Sequence, residues 1–435
     1  MSTPALRPAP PTPEEIPCLP RNFWAWVAYQ FFYRIGWQFK MESTMMAGLI
    51  SYLAPAPTVM GLFASLNKVG QNLAPLIAAP IVDRFRQKVM AVLLFWGLTV
   101  ASWAALTIYL WSPAAGDRAQ SLWVFGLCYS LFFTFLGAVS VAQGALLGKI
   151  IPAERRGQAM AVGMMLSGVI NVGAILLLYR VIGKGHFPEP RNYALAFTLT
   201  TLFFVLAGAS LLWVREAPSP PAGRRTGLYS TLRAFVVLTR YNRNLARLMV
   251  VNIAVSISGS MLQFYTGYWR QSGTFSEGAL VLATLFQVLW QSVSSSIFGR
   301  AADRKGNRLI ICILLWVEAM VPLAALVLGG LEPFRGHWAW FTGVYALVGF
   351  RFPLYQLLVN YLLEVVPQRD HAMALGAVTT AQLTTVPAPL VLGAIAGIWG
   401  YAAAFLIASG IVAYAAIIAL GMDEVRLRKS SALEI

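Results

Sequence analysis

Residues 299–308 read GRAADRKGNR, a hydrophilic stretch that directly follows a long apolar segment. A related stretch, APIVDRFRQK, occupies Ala79–Lys88 and also follows an apolar segment. Asp83 and Asp303, which begin the two Asp-Arg pairs, are separated by about half of the chain's 435 residues. A motif that recurs at this distance predicts that the chain consists of two similar halves.

A second pair of segments supports this repeat. Pro152–Gly163 reads PAERRGQAMAVG, and Pro367–Gly376 reads PQRDHAMALG. Each of these segments leads into another apolar stretch, and each occupies the equivalent place in its half.

The composition excludes an ordinary soluble domain. Hydrophobic residues make up 58% of the chain and charged residues only 11%, and the mean hydropathy is +0.65. The net charge of +16 comes from cations that lie between apolar blocks rather than on one face, which disfavours nucleic acid as a partner. The three cysteines lack metal-ligand spacing, and we expect neither metal nor cofactor.

About twelve apolar segments are each long enough to cross the hydrocarbon core as a helix. We number them span one to span twelve, and they begin near Asn22, Thr58, Val89, Leu122, Gln158, Tyr193, Ala246, Ala279, Leu309, Trp338, His371 and Tyr401. Helices are favoured over a β-barrel because no alternating ten-residue pattern occurs. The sequence therefore predicts an all-α polytopic membrane protein.

The distribution of Lys and Arg predicts the orientation in the membrane. Most of these residues lie in loops on the side that carries both chain ends, in the segments around Arg84, Arg155, Arg304 and Arg426–Lys429 and in the long run from Arg215 to Arg247. Because basic loops remain in the cytosol, both termini are expected to be cytosolic. The expected location is the inner membrane of a bacterium.

A hydrophilic stretch beginning REAPSPPAGRRTG divides the chain into its two halves. We predict a disordered cytosolic tail, a first six-helix bundle, a cytosolic linker, a second six-helix bundle and a second cytosolic tail. Their boundaries are 1–21, 22–214, 215–245, 246–422 and 423–435. The later part of the linker has helical apolar spacing and is predicted to form an amphipathic helix on the membrane surface.

The repeated Asp-Arg segments resemble the signature of the major facilitator superfamily, Gly-x-x-x-Asp-Arg-x-Gly-Arg-Lys, which follows the second span and is partly repeated after the eighth. The matching residues are Asp83, Arg84 and Lys88 in the first copy and Gly299, Asp303, Arg304, Gly306 and Arg308 in the second. Ala79 and Arg86 stand where the family usually has glycine. The resemblance implies a monomer in which two six-helix bundles rock around a midplane site, with these residues forming a cytosolic gate.

Three cations are predicted to lie near the middle of the membrane. At a rise of 1.5 Å per residue, Arg34, Lys68 and Arg351 fall about midway along spans one, two and ten. Lys40 lies nearer the outer end of span one, and we expect its side chain to extend to the interface. Cations at such depth are costly, which makes them candidates for a functional site.

An excess of buried cations favours an anionic solute, because a guanidinium matches carboxylate or phosphate geometry. The leading prediction is therefore a secondary transporter of an organic anion. Polar residues at helical spacing complete the expected substrate site, which consists of Arg34, Gln38, Lys68, Gln143, Gln263, Arg351 and Tyr355. The alternative for the arginines is internal pairing with Glu42 or Glu318, and the alternative for Lys68 is a gating or structural role.

Glu42 and Glu318 are also the candidates for proton coupling, as expected for a symporter. No phosphate-binding Gly-x-x-x-x-Gly-Lys-Ser/Thr loop occurs, so ATP is not expected to drive transport directly.

Two other functions fit the same sequence. The first is export or flipping of an amphiphile, a lipid or a drug, and the second is a non-transporting assembly factor or sensor with the same fold. An enzyme is not expected, since the three histidines are scattered and form no catalytic or metal-binding pattern.

Overall fold

The computed structural model describes residues 18–182, 187–218, 242–271, 275–330, 339–366 and 371–424. These residues are almost entirely helical, with short connections. The all-α class is confirmed. The predicted linker helix and most of the two predicted tails lie outside the described residues. The first helix begins at Leu19, three residues before the predicted start at Asn22.

The described residues of the first half form seven α-helices that match spans one to six. They are α1 Leu19–Phe39, α2 Ala47–Leu53, α3 Pro57–Arg84, α4 Lys88–Trp111, α5 Arg118–Ile150, α6 Ala153–Ile182 and α7 Arg191–Leu211. Span one comprises both α1 and α2, because the helix is interrupted at Lys40–Met41 and resumes as a π-helical turn, Glu42–Met46.

The second half contains the helices that match spans seven to twelve. They are α8 Arg243–Ser258, α9 Leu262–Gln271, α10 Glu277–Lys305, α11 Asn307–Gly330, α12 Ala339–Val348, α13 Arg351–Val365, α14 His371–Ala381 and α15 Ala388–Leu420. Span seven is interrupted by a 3₁₀ turn, Gly259–Met261, and span ten is interrupted between α12 and α13. Spans eleven and twelve meet at Gly400, where φ is 83° and the backbone leaves helical geometry.

Eight helical stretches in the described part of the chain are long and apolar enough to cross a membrane, and one of them, Ala374–Leu420, contains most of span eleven and all of span twelve. Large apolar side chains cover the outside of the molecule; Trp123 is 81% exposed and Ile398 is 73% exposed. An apolar surface of this kind is stable in contact with lipid rather than water. The chain is an integral membrane protein.

The two halves contact each other closely along α3 and α15. A Cβ at Gly61 would lie 2.3 Å from the Pro389 carbonyl oxygen, and a Cβ at Gly393 would lie 2.7 Å from the Pro57 carbonyl oxygen. Only glycine permits the backbones to approach at these two positions. The division into bundles 22–214 and 246–422 stays a prediction, but this seam lies between those ranges.

Hydrogen bonds to the residues that follow α7 hold together one end of the first half. We call this end the basic face, because Arg84 and Lys149 lie there. The Arg215 N–H donates to Asn22 Oδ1 over 2.8 Å, and the Val89 N–H donates to Glu216 Oε2 over 2.8 Å. The residues after α7 therefore connect the starts of α1 and α4.

The second half repeats this arrangement. The Asp423 N–H donates to Asn244 Oδ1 over 3.0 Å, and the Arg308 N–H donates to Glu424 Oε2 over 3.0 Å. The residues after α15 thus connect the starts of α8 and α11. In the first half, Arg215 and Glu216 connect the starts of α1 and α4 in the same way. The internal repeat extends to contacts that the sequence motifs did not reveal.

Candidate functional site

A cavity of about 320 Å³ lies between the two halves, near the interruptions of spans one, seven and ten. Most of its lining residues have polar or charged side chains. The lining residues are Glu42, Ala64, Asn67, Lys68, Gln71, Asn72, Asn252, Val255, Ser256, Gly259, Ser260, Leu262, Gln263, Arg351, Tyr355 and Gln382. Interrupted helices around a polar cavity leave backbone groups and side chains free to contact a solute.

On the side away from the basic face, a layer of hydrogen bonds closes the space between the halves. The hydroxyl groups of Thr44 and Thr284 form a hydrogen bond of 2.6 Å, and Ser43 Oγ donates to Gln287 Oε1 over 2.7 Å. The Thr266 hydroxyl donates to the Ser43 carbonyl oxygen over 2.8 Å. These buried contacts join the π-helical turn to α9 and α10.

Beyond this layer, ionic contacts join the halves again at the opposite face. Arg270 at the end of α9 forms an ion pair with Glu189, which precedes α7. Asn192 in α7 donates to Glu277, the first residue of α10. Both bonds connect the first half to the second.

Towards the basic face the cavity is open. Gln71 and Tyr355 line the cavity and are exposed, and the exposed fraction of Tyr355 is 53%. Both residues lie on the part of their helix that runs from the cavity to the basic face. The cavity is therefore closed on one side and open on the other.

Lys68 lies in α3 and contacts the second half directly. Its Nζ donates to the Ser256 carbonyl oxygen over 2.6 Å, to Ser256 Oγ over 2.8 Å and to Thr385 Oγ1 over 3.1 Å. No carboxylate lies within ion-pair distance of this ammonium group among the described residues. All of its hydrogen-bond partners among the described residues are neutral oxygens.

Arg351 begins α13, and its guanidinium extends to α8 and α11. It forms an ion pair with Glu318 and donates to the Val255 carbonyl oxygen over 2.5 Å. Ser258 Oγ donates to the same carboxylate over 2.7 Å. Gly259 gives the guanidinium room, because a Cβ there would lie 2.2 Å from Nη2. The predicted alternative of internal pairing is realised for Arg351.

Glu42 lies at the start of the π-helical turn and accepts two hydrogen bonds. Lys40 Nζ donates to Oε1 over 2.6 Å, and the Tyr129 hydroxyl donates to Oε2 over 2.8 Å. Lys40 is completely buried, and its Nζ lies 3.5 Å from the centre of the Trp37 ring and 4.8 Å from that of Phe132.

The prediction that Lys40 extends to the outer interface is therefore wrong. The break in span one turns the Lys40 side chain inward, where a carboxylate and aromatic faces compensate its desolvation.

Four predicted substrate residues line the cavity: Lys68, Gln263, Arg351 and Tyr355. Arg34, Gln38 and Gln143 do not line it. Arg34 Nε and Gln38 Oε1 are buried without a hydrogen-bond partner among the described residues, and Gln143 donates to the Tyr29 hydroxyl. Of the two coupling candidates, Glu42 lines the cavity, and Glu318 lies behind Arg351.

Sequence reasoning missed several lining residues of span seven. Asn252, Ser256 and Ser260 follow each other at intervals of four, and Gln263 comes three residues later. Positions three and four apart lie on one face of a helix. This polar stripe in an otherwise apolar span is the sequence signal that could have predicted the residues that span seven contributes to the cavity.

The first copy of the predicted gate lies where α3 ends. Lys88 Nζ donates to the carbonyl oxygens of Val82, Asp83 and Phe85 over 2.8, 3.2 and 3.0 Å. Lys88 thereby binds carbonyl oxygens at the C-terminal end of α3, and Arg84 is the last residue of this helix. This arrangement stabilises the sharp connection to α4.

In the second copy, Gly299, Asp303 and Arg304 belong to the last turns of α10. Gly306 follows with φ of 88°, a conformation that favours glycine. Arg308 lies in the first turn of α11, and its N–H donates to Glu424. Both copies thus shape helix connections at the basic face, and their role as a gate stays a prediction.

The charges at the cavity do not cancel. Lys68 and Arg351 contribute two cations to the lining, and Glu42 contributes one anion. Behind them, Lys40 balances Glu42 and Glu318 balances Arg351. Among the described residues this leaves the charge of Lys68 in excess.

The described residues also contain no group of three or more His, Cys, Asp or Glu side chains that could bind a metal ion.

Residues 30–382, which include both Asp-Arg copies, match the family model described as Major Facilitator Superfamily. No curated protein matches the chain by sequence.

Three solved transporters have a similar fold. A mutant of the nucleoside transporter NupG has a TM-score of 0.67 at 10% identity, covering 92% of this chain and 99% of that chain. A POT family transporter in complex with 5-aminolevulinic acid has a TM-score of 0.67 at 14% identity, covering 92% and 95%. The POT family transporter PepTSo has a TM-score of 0.68 at 13% identity, covering 92% and 97%. At these identities the similarity concerns the fold alone.

Proposed function

We propose that this chain, which belongs to the Major Facilitator Superfamily, is a secondary transporter that moves a small organic anion by alternating access. The resemblance based on the repeated Asp-Arg segments is confirmed by the family match. One observation carries the choice of an anion: Lys68 lies in the cavity, and its partners in the described part of the chain are all neutral oxygens.

An ammonium group in a membrane cavity is costly without a counter-charge. Arg351 and Lys40 each have a carboxylate partner, whereas Lys68 has none among the described residues. A carboxylate or phosphate group of a bound solute would supply the missing negative charge. The guanidinium of Arg351 uses two of its five N–H groups on Glu318 and Val255, so further donors remain for the same anion.

The contacts of Lys68 also link binding to movement. Its bonds to Ser256 and Thr385 cross from the first half to the second. An anion that binds Lys68 competes with these two residues for the same donors. Binding therefore changes a contact between the halves, as a rocking mechanism requires.

The basic face is taken as the cytosolic face, because loops rich in Lys and Arg remain in the cytosol. Both chain ends are then cytosolic, and the cavity opens inward in this conformation. We further propose that the protein acts as a monomer in a bacterial inner membrane and that a proton drives the cycle. Glu318 is the proposed proton acceptor, because its protonation would release Arg351.

The character of the cavity favours an anion over the two alternative functions. A flippase or an exporter of amphiphiles needs room for a long apolar tail, whereas this cavity holds only about 320 Å³. A non-transporting protein has no need for an open space of about 320 Å³ between its halves. The size is at the lower end of the range for small-molecule sites.

Thermal stabilisation of the purified protein tests the proposal. The ligands are carboxylates, organic phosphates, sugars, amphiphiles and cationic drugs. A ligand at about 100 times its dissociation constant adds about 2.7 kcal/mol to the stability, which a shift in melting temperature reports. We expect that only anions stabilise the wild type.

Three variants identify the binding site. Lys68→Gln and Arg351→Gln are expected to lose the stabilisation by anions. Arg34→Gln is the matched control, since Arg34 does not line the cavity. Stabilisation by neutral or cationic compounds only, or anion binding that survives Lys68→Gln, would show that the assigned substrate class is wrong.

A further inference from the structure

Two buried polar atoms at the cavity have no hydrogen-bond partner among the described residues. They are Gln263 Oε1 and Ser260 Oγ. Both residues line the cavity, and their exposed fractions are only 4% and 3%. Buried polar atoms normally have partners, so each such atom requires an explanation.

The orientation of the Gln263 amide follows from the neighbouring Tyr129. A phenol has one proton to donate, and Tyr129 donates it to Glu42 Oε2 over 2.8 Å. The Tyr129 oxygen can therefore only accept further bonds. It accepts from Asn67 Nδ2 over 3.1 Å and from Gln263 Nε2 over 3.4 Å. Rotating the Gln263 amide by 180° would place its oxygen against an oxygen that has no proton left.

Gln263 must consequently keep its carbonyl oxygen free. Together with Ser260 Oγ and the cavity-lining carboxylate of Glu42, it forms a group of acceptors that we call the acceptor cluster. The cavity thus contains two kinds of binding surface, since Lys68 and Arg351 supply only donors. A solute that carries only an anionic group binds Lys68 and Arg351 but leaves Gln263 Oε1 and Ser260 Oγ without a partner among the described residues.

We propose that the transported anion also carries a hydrogen-bond donor, an amino or hydroxyl group, which binds the acceptor cluster. This inference rests on the proposed function and narrows its substrate class to amino- or hydroxy-substituted carboxylates. The donor binds Gln263 Oε1, and Ser260 and Glu42 line the same cavity. The carboxylate lies on Lys68 and Arg351.

Binding of matched ligands to the full chain in detergent tests this inference. The ligands are short straight-chain carboxylates of increasing length, each with a hydroxyl, an amino or a methyl group at the far end. The hydroxyl and methyl forms have nearly the same size. At the best length, a donor form is expected to bind about tenfold more tightly than the methyl form.

Gln263→Met removes the free acceptor at similar side-chain volume, and the preference for the donor form is expected to disappear. Ser260→Ala, a smaller change, is expected to reduce the preference only in part. Gln143→Met is the control, because Gln143 does not line the cavity, and there the preference should remain.

The outcomes separate the two proposals. If carboxylates bind with dependence on Lys68 but the donor and methyl forms bind equally, the inference is wrong and the proposed function stands. A preference that persists in Gln263→Met also overturns the inference. If no carboxylate binds at all, the proposed function fails, and the inference fails with it.

Discussion

Replacing Lys40 by methionine is expected to destabilise the protein strongly, although Lys40 is not among the residues around the cavity. Its side chain is completely buried, and its Nζ lies 2.6 Å from Glu42 Oε1. The same Nζ lies 3.5 Å from the centre of the Trp37 ring. Lys40→Met keeps most of the volume and removes only the charge, so the effect on packing is small.

The size of the stability loss depends on Glu42, the charged group that remains in Lys40→Met. Removing one partner of a buried ion pair costs about 3–5 kcal/mol, because the other charge stays without compensation. Glu42 is 17% exposed and keeps its bond from Tyr129, which places this cost at about 3 kcal/mol. The lost attraction between the ammonium group and the ring of Trp37 adds up to about 2 kcal/mol. We expect a total loss of about 3–5 kcal/mol.

Equilibrium unfolding in one detergent measures this loss. The double variant Lys40→Met/Glu42→Gln is expected to lie within about 1 kcal/mol of the wild type, because two neutral groups replace the pair. Lys305→Met, at an exposed position at the end of α10, is the control and should change the free energy of unfolding by less than about 0.5 kcal/mol. A loss below about 1 kcal/mol for Lys40→Met, or a double variant as unstable as the single one, would refute the reasoning.

Three further predictions concern the cavity and its closure. Gly259→Ala is expected to displace the cavity guanidinium and weaken anion binding about tenfold, measured by titration, whereas Gly343→Ala, in open space, should have no effect. Equal affinities for the two variants would contradict this. Glu318→Gln is expected to retain anion exchange in proteoliposomes but to lose accumulation driven by a proton gradient; unchanged accumulation would exclude Glu318 as the coupling group. Arg270→Gln removes an ion pair at the opposite face and is expected to raise labelling of Thr44→Cys by an impermeant thiol reagent up to about fivefold. Labelling at the wild-type rate would show that the ion pair does not hold this face closed.

Much of the fold could be predicted because apolar length and Lys/Arg position are local properties of the sequence. The predicted beginnings of spans three and nine differ from the observed helices by only one or two residues. The interruptions could not be predicted in this way. Span one occupies residues 19–53 rather than about 20 residues, which moves its cavity-facing part from Arg34 to Glu42.

Only part of the candidate site could be predicted, because the sequence does not show which way each side chain points. A rise per residue gives the depth of a side chain, whereas the face that it occupies depends on packing against other helices. Lys68 and Arg351, which were predicted to lie near the middle of the membrane, line the cavity. Gln143 contacts Tyr29 instead. The pairing of Lys40 with Glu42 depends on a local break that no periodicity indicates.

Uptake of labelled carboxylates into proteoliposomes tests the central claim most directly, because it measures transport rather than binding. Wild-type protein is expected to take up an amino- or hydroxy-substituted carboxylate, and Lys68→Gln is expected to fall to the level of empty liposomes. Arg34→Gln, outside the cavity, should retain uptake. Uptake by Lys68→Gln at the wild-type rate, or transport restricted to neutral or cationic solutes, would contradict the account.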